Sequence, residues 1–251
     1  MTEIAQRLSH VTARITAAAA AAGRSASDVT LVAVSKTHPP ARVVEAVAAG
    51  ALDLGENRVA ELVAKRPIVE AALHAPVARW HLIGQLQRRQ APGVVGVDVL
   101  LHGVDRVSLV DRLERLAAER EVVQRILVQV NVGDDPAKGG CSLTEVDSLV
   151  AYAQSRPHIA VEGLMTIPPL PPIGTDANDA ARPLFETLRA TADRLQLACT
   201  SMGMSADLEA AVAAGATHVR VGTDIFGARG SGPWSPTSST TPPSDGDRST
   251  R

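Results

Sequence analysis

Apolar, β-branched runs alternate with helix-like stretches along most of this chain, and that alternation limits its fold more than any other feature. Strand-like runs cover residues 30–36, 52–57, 81–86, 99–104, 126–132, 160–167, 197–202 and 219–226. Helical candidates lie between them, including 41–49, 108–120, 144–155, 180–196 and 206–214. A further helix is expected over 3–22, where Ile4, Leu8, Val11 and Ile15 repeat at helical spacing before Gly23. Ser142 and Glu145 have capping-box spacing. Gly50 and Gly215 stand where two helices should stop.

Eight strands separated by helices within roughly 200 residues predict a single parallel (β/α)8 TIM barrel with an extra N-terminal helix. A doubly wound open sheet is the alternative. It would normally carry a G-x-G-x-x-G turn after the first strand, and here that place holds "SKTHPP". The barrel is expected over residues 1–230. Residues 231–251, "SGPWSPTSSTTPPSDGDRSTR", are rich in Ser, Thr and Pro and read as a disordered tail, with Trp234 its one aromatic.

Composition removes several function classes. A net charge of −2, with arginines scattered along the chain, leaves no basic footprint for nucleic acid. Cys141 and Cys199 are far apart and no histidine pair has metal-ligand spacing, so neither a zinc site nor a disulfide framework is expected. The N-terminal stretch is amphipathic and interrupted by charge, unlike a secretion signal, and no run is long enough to span a membrane. These features predict a cytoplasmic protein. With the barrel helices assigned, no exposed apolar stripe remains, which points to a monomer.

In a barrel, chemistry gathers at the C-terminal ends of the strands. Those ends carry Lys36, Gly55 to Asn57, Gly84 and Gln85, Asn131, Met165, Ser201 to Ser205, and Arg220 to Gly227. This is neither a hydrolase set nor a metal set: Ser201 lacks an evident partner, although His38 and His81 could lie near barrel ends. Lys36 is unusual, because the chain has only three lysines, with Lys65 and Lys138, against twenty-two arginines. A surface cation here would usually be arginine, so a primary amine matters at this position. A solvated strand-end charge is the bland alternative.

Loops after strands 7 and 8 of barrels commonly hold phosphate. "SMGMSADLEAAVAAG" and "RVGTDIFG" supply glycines for close backbone approach and hydroxyls at those places. Ser201, Gly203, Ser205, Gly222 and Thr223 suit such a cradle; simple turn and cap roles are the alternative. A lysine amine in a partly apolar site can attack a carbonyl. An amine facing a phosphate cradle suits a ligand carrying both an aldehyde and a phosphate, as pyridoxal 5′-phosphate does. A ketose phosphate in a Schiff-base aldolase meets the same requirement.

The segments "LVAVSKTHP", "LGENRVAEL", "WHLIGQLQ", "VEGLMTIPP" and "SMGMSADLEAAVAAGATHVRVGTDIFGAR" together resemble the pyridoxal phosphate homeostasis proteins of the YggS/PROSC type. The resemblance runs from the N-terminal helix to about Arg229. It implies a barrel like the N-terminal domain of alanine racemase that holds pyridoxal 5′-phosphate as a Schiff base. Carried over, Lys36 is the imine lysine and Asn57 a pocket residue. Met165 joins the cofactor site. Ser201, Gly203, Ser205, Gly222 and Thr223 surround the phosphate, and Arg220 faces the pyridine nitrogen. A cation there keeps that nitrogen unprotonated and weakens the ring as an electron sink. The chain departs from the family pattern in two places. Arg89 and Gln90 replace the usual Asn-Lys after "GQLQ". "NVGDDPAKGGCS" keeps Asn131, Lys138 and Gly140 but otherwise varies.

Racemisation would need a second acid/base opposite the lysine. Related two-domain racemases use a tyrosine, and this chain has only Tyr152, in a helical pattern away from any strand end. The expectation is therefore a reversible carrier or buffer of pyridoxal phosphate, serving intracellular homeostasis and pyridoxal-phosphate-dependent apo-enzymes. A racemase-like enzyme is the alternative.

Overall fold

Runs of β-branched and aliphatic residues form the expected strands, mostly shortened where polar residues leave the ladder. These are β1 (Thr30–Val34), β2 (Asp53–Glu56), β3 (Arg79–Leu82), β4 (Val99–Val104), β5 (Gln124–Gln129), β6 (Ile159–Met165), β7 (Cys199–Ser201) and β8 (His218–Val221). In the computed structural model, which describes residues 1–74, 78–228 and 234–235, they close into a barrel in chain order. Every pairing is parallel, and Val32 of β1 aligns with Asp53 of β2 on one side and Arg220 of β8 on the other. The open-sheet alternative is excluded by that closure.

The helices are α1 (Glu3–Ala21), α2 (Pro40–Ala48), α3 (Val59–Leu73), α4 (Val107–Glu119), α5 (Val146–Gln154), α6 (Ala177–Arg194), α7 (Leu208–Ala213) and α8 (Thr223–Phe226). Helix α1 buries Ile4, Leu8, Val11, Ile15 and Ala19, the stripe its spacing predicts. Gly50 and Gly215 follow α2 and α7 with φ of 106° and 95°, a backbone region glycine enters without strain.

Two local expectations are corrected and one further helix is added. Residues 223–226 form a helical turn, so β8 ends at Val221. Helix α3 was not among the named candidates, because Pro67 interrupts it and its apolar residues lack one face. Glu145 reaches back to the Ser142 N–H at 3.0 Å, but the Ser142 hydroxyl donates to that same carboxylate and α5 begins only at Val146. Of the expected tail, only Trp234 and Ser235 fall within the described residues.

Side chains alternate across each strand, so residues two apart share a face. Outward-facing residues pack against the helices in one large apolar layer. Inside the barrel, Val32, Val34 and Ile83 form one small apolar cluster, and Leu100, Leu127 and Met165 another. Also buried within the barrel are polar residues: Asp53, His81, His102, Ser201 and Arg220.

Candidate functional site

The β1 run ends in Ser35 and Lys36, and the chain then turns sharply into α2. Thr37 adopts φ of 68°, an uncommon conformation for a β-branched residue that its surroundings must enforce. Its N–H donates to Glu61 Oε2 at 2.8 Å, and Ser35 Oγ donates to Glu56 Oε1 at 2.7 Å. Behind them the Lys65 ammonium donates to the Ser35 carbonyl at 2.9 Å, to Glu56 Oε1 at 2.6 Å and to Glu61 Oε2 at 3.4 Å. The turn carrying Lys36 is therefore clamped by a buried ion cluster from β2 and α3. Burial pushes the Glu56 carboxyl up, opposed by Lys65 and the Ser35 hydroxyl. The half-exposed Trp234 ring lies on this cluster, its centroid 5.8 Å from Lys65 Nζ.

Lys36 lines a cavity of about 420 Å³ at the barrel mouth. Asn57, Gly84 and Gln85 border it after β2 and β3, and Ser205, Gly222 and Thr223 border it after β7 and β8. Arg220 forms its buried floor. A Cβ on Gly84 would sit 2.1 Å from the Asn57 carbonyl, and one on Gly222 would sit 3.2 Å from the Val34 carbonyl, so both walls use glycine for close approach. His38 stacks on Phe226 at 5.3 Å, and burial, then the charges of Lys65 and Arg42, hold its imidazole below the ordinary histidine range.

Arg220 is held from below. Its NH1 donates to Ser201 Oγ at 2.7 Å and its NH2 to the Thr166 carbonyl at 2.8 Å. Burial draws the guanidinium down to about 10, with Asp207 opposing, so it stays charged at neutral pH.

Of the residues singled out in the sequence, Lys36, Asn57, Ser205, Arg220, Gly222 and Thr223 come together around the cavity. Met165, Ser201 and Gly203 are not among its lining residues. Met165 packs inside the barrel with Leu100 and Leu127. Ser201 is spent on Arg220, and Gly203 is required by packing, since a Cβ there would lie 2.3 Å from that of Ala211 at φ of 90°. His81 lies inside the barrel and not at its mouth, hydrogen-bonded to Asp53 and His102. Ser201 does have a histidine partner, His102. The wall residues Ile83, Ile167 and Ala206 carry no chemical signal in the sequence, being apolar. Tyr152 lies on α5 and donates to Asp111 Oδ1 at 2.5 Å, away from this cavity.

Comparison with known proteins agrees with this geometry. The family described as the alanine racemase N-terminal domain matches residues 7–230. A pyridoxal phosphate homeostasis protein of Aquifex aeolicus is 39% identical over 230 residues, spanning 89% of this chain and 97% of that protein. Its namesake in Escherichia coli K12 is 37% identical over 231 residues, spanning 91% and 98%. The solved structure of PipY from Synechococcus elongatus PCC7942 with PLP bound is similar at a TM-score of 0.74 and 33% identity, covering 90% of this chain and all 100% of PipY. Alanine racemase of Clostridium difficile 630, at 13% identity and a TM-score of 0.65 over 79% of this chain and 54% of the racemase, shares the fold.

Proposed function

The chain belongs to the pyridoxal phosphate homeostasis protein family, and from that premise we propose that it binds pyridoxal 5′-phosphate reversibly at its barrel mouth and buffers or delivers it without turning over a substrate. The observation that carries this reading is Lys36, the one amine among the cavity's lining residues, facing Ser205, Gly222 and Thr223 over the Arg220 floor.

The residues present fit the cofactor. Bound there, it would supply an aldehyde that condenses reversibly with an amine, and a phosphate that needs donors and close backbone approach. Lys36 supplies the amine. Ser205, Gly222 and Thr223 would hold the phosphate, and Asn57 would help hold the rest of the cofactor. Arg220 would offer a fixed positive charge to the ring nitrogen, which disfavours a proton there. Ser201 and the Gly203 carbonyl hold Arg220 from behind, and Met165 packs one layer deeper with Leu100 and Leu127.

The absence of turnover is argued from the second acid/base that racemisation requires. The chain's one tyrosine, Tyr152, is hydrogen-bonded to Asp111 on the outer helix layer. Its recipients are apo-enzymes needing the same cofactor, and it acts as a cytoplasmic monomer. Among the described residues no helix is long and apolar enough to cross a membrane.

The test is a spectral titration with pyridoxal phosphate of wild type and Lys36→Ala, then borohydride trapping and peptide mapping. The expected label is on Lys36; no label, or one on Lys65 or Lys138, overturns the assignment. Exchange of an amino acid's α-hydrogen in deuterated water would overturn the non-catalytic reading.

A further inference from the structure

A line of hydrogen bonds runs through the barrel interior from Arg220 to the opposite end of β2. Arg220 NH1 meets Ser201 Oγ at 2.7 Å, Ser201 Oγ meets His102 Nδ1 at 2.9 Å, His102 Nε2 meets His81 Nδ1 at 3.0 Å, and His81 Nε2 meets Asp53 Oδ1 at 3.1 Å. His102 is fully shut off from solvent, and Asp53, His81, Ser201 and Arg220 are buried.

With both imidazoles neutral, the two ends dictate the direction of every hydrogen between them. A guanidinium can only donate, so Ser201 Oγ accepts from Arg220. At the far end, burial pushes the Asp53 carboxyl up, but hydrogen bonds from His81 and Arg79 outweigh it and hold it at about 2. Asp53 is therefore an ionised acceptor, and Arg79 pairs with it through both oxygens at 2.7 and 2.5 Å. His81 must then donate from Nε2 and accept at Nδ1, and His102 must do the same. That leaves His102 Nδ1 to accept the Ser201 hydroxyl hydrogen. The reverse sense would aim a ring lone pair at a carboxylate. One added proton on the histidine pair would turn a ring N–H towards Ser201 and take away the acceptor.

We propose that His102 is a positioning residue: kept neutral and protonated on Nε2 by the His81–Asp53 pair, it fixes the orientation of Arg220 through Ser201. The inference rests on reading the cavity as a pyridoxal phosphate site, with Arg220 as its floor. The charged and titratable groups facing His102 and His81 are Asp53 from β2 and His218 and Arg220 from β8, with Asp207 beyond Arg220 and Glu162 beyond His218. Burial above all holds His102 well below the ordinary histidine range, so this ring stays neutral across neutral pH.

Long-range nitrogen–proton NMR on the protein alone reads the tautomers. His102 should show a protonated Nε2 and a bare Nδ1 from pH 8 to about 6. A charged His102, or one protonated on Nδ1, overturns the proposal. Asparagine can replace the Nδ1 acceptor and phenylalanine cannot. In titrations with pyridoxal phosphate, His102→Phe should weaken binding about tenfold or more and move the bound absorbance band, with His102→Asn within about threefold of wild type. In an Arg220→Ala background, His102→Phe should cost nothing further. Wild-type affinity in His102→Phe, equal losses in both His102 variants, or additive losses with Arg220→Ala would each overturn it. Failure of the wild type itself to bind would strike the reading of the cavity, while the nitrogen shifts still decide the tautomers.

Discussion

Lys65 Nζ lies 2.6 Å from Glu56 Oε1, and both side chains are completely closed off from solvent. Glu61 adds a second carboxylate 3.4 Å from the same ammonium, so two buried acids depend on one base. Removing one partner of a buried pair strands the other charge. Lys65→Met should therefore cost about 3–5 kcal/mol of stability. It is measured as a fall in the urea midpoint at unchanged slope. Adding Glu56→Gln should recover part of the loss, and a single-variant loss below about 1 kcal/mol would contradict the clamp.

Trp234 lies against the same ammonium at 5.8 Å. An ammonium facing an indole at that range is worth about 0.5–1 kcal/mol when part of the contact is wet. Trp234→Ala should cost about that much in wild type and almost nothing in a Lys65→Met background. Equal costs in both backgrounds would show that the ring stabilises the protein through other contacts.

The barrel was legible because its strands are short, apolar and regularly spaced, and because the mouth residues directly follow strand ends. Lys36, Asn57 and Gly222, which follow β1, β2 and β8, all line the cavity. Residues one layer deeper were not separated from them: a strand end reveals neither where the ladder stops nor which residues the cavity reaches. Ser201 was therefore taken for a ligand residue when its hydroxyl serves Arg220. His102 sits in "VLLHGV", where a single histidine looks like an ordinary core residue, and its partners lie 21 and 99 positions away. Lys65 and Glu61 do have helical i, i+4 spacing, but Pro67 two residues later obscured α3, and the pairing with Glu56 appears only once β2 faces that helix.

His218 carries a pH dependence with a definite sign. Burial, then the charge of His81, lowers its imidazole to about 4, with Asp53 and Glu162 opposing. The unfolded chain takes up this proton near pH 6.5, while the folded one does so only near pH 4. The neutral ring's contribution is complete above about 6.5 and is lost as pH falls through that window. Its size is about 3 kcal/mol. Urea midpoints measured from pH 7 to 4 should fall more steeply for wild type than for His218→Gln. Parallel profiles would mean that His218 does not hold the depressed value.

Gly222 tests the phosphate side of the site separately from the amine. A Cβ there would lie 3.2 Å from the Val34 carbonyl and 3.4 Å from the Val34 Cβ, so a branched side chain cannot be housed without moving the wall beside Thr223. Its φ of −118° suits any residue, so the cost falls on space and not on backbone strain. Lys36, in the turn after β1, keeps its own clamp, and an aldehyde without phosphate should therefore still reach it. Gly222→Val should weaken pyridoxal phosphate by about tenfold or more, and the weaker binding of unphosphorylated pyridoxal by less than about threefold. Both are read from the absorbance of the lysine adduct, with thermal midpoints as a folding control. Equal proportional losses for the two ligands would place the phosphate elsewhere than against the strand 7 and 8 loops.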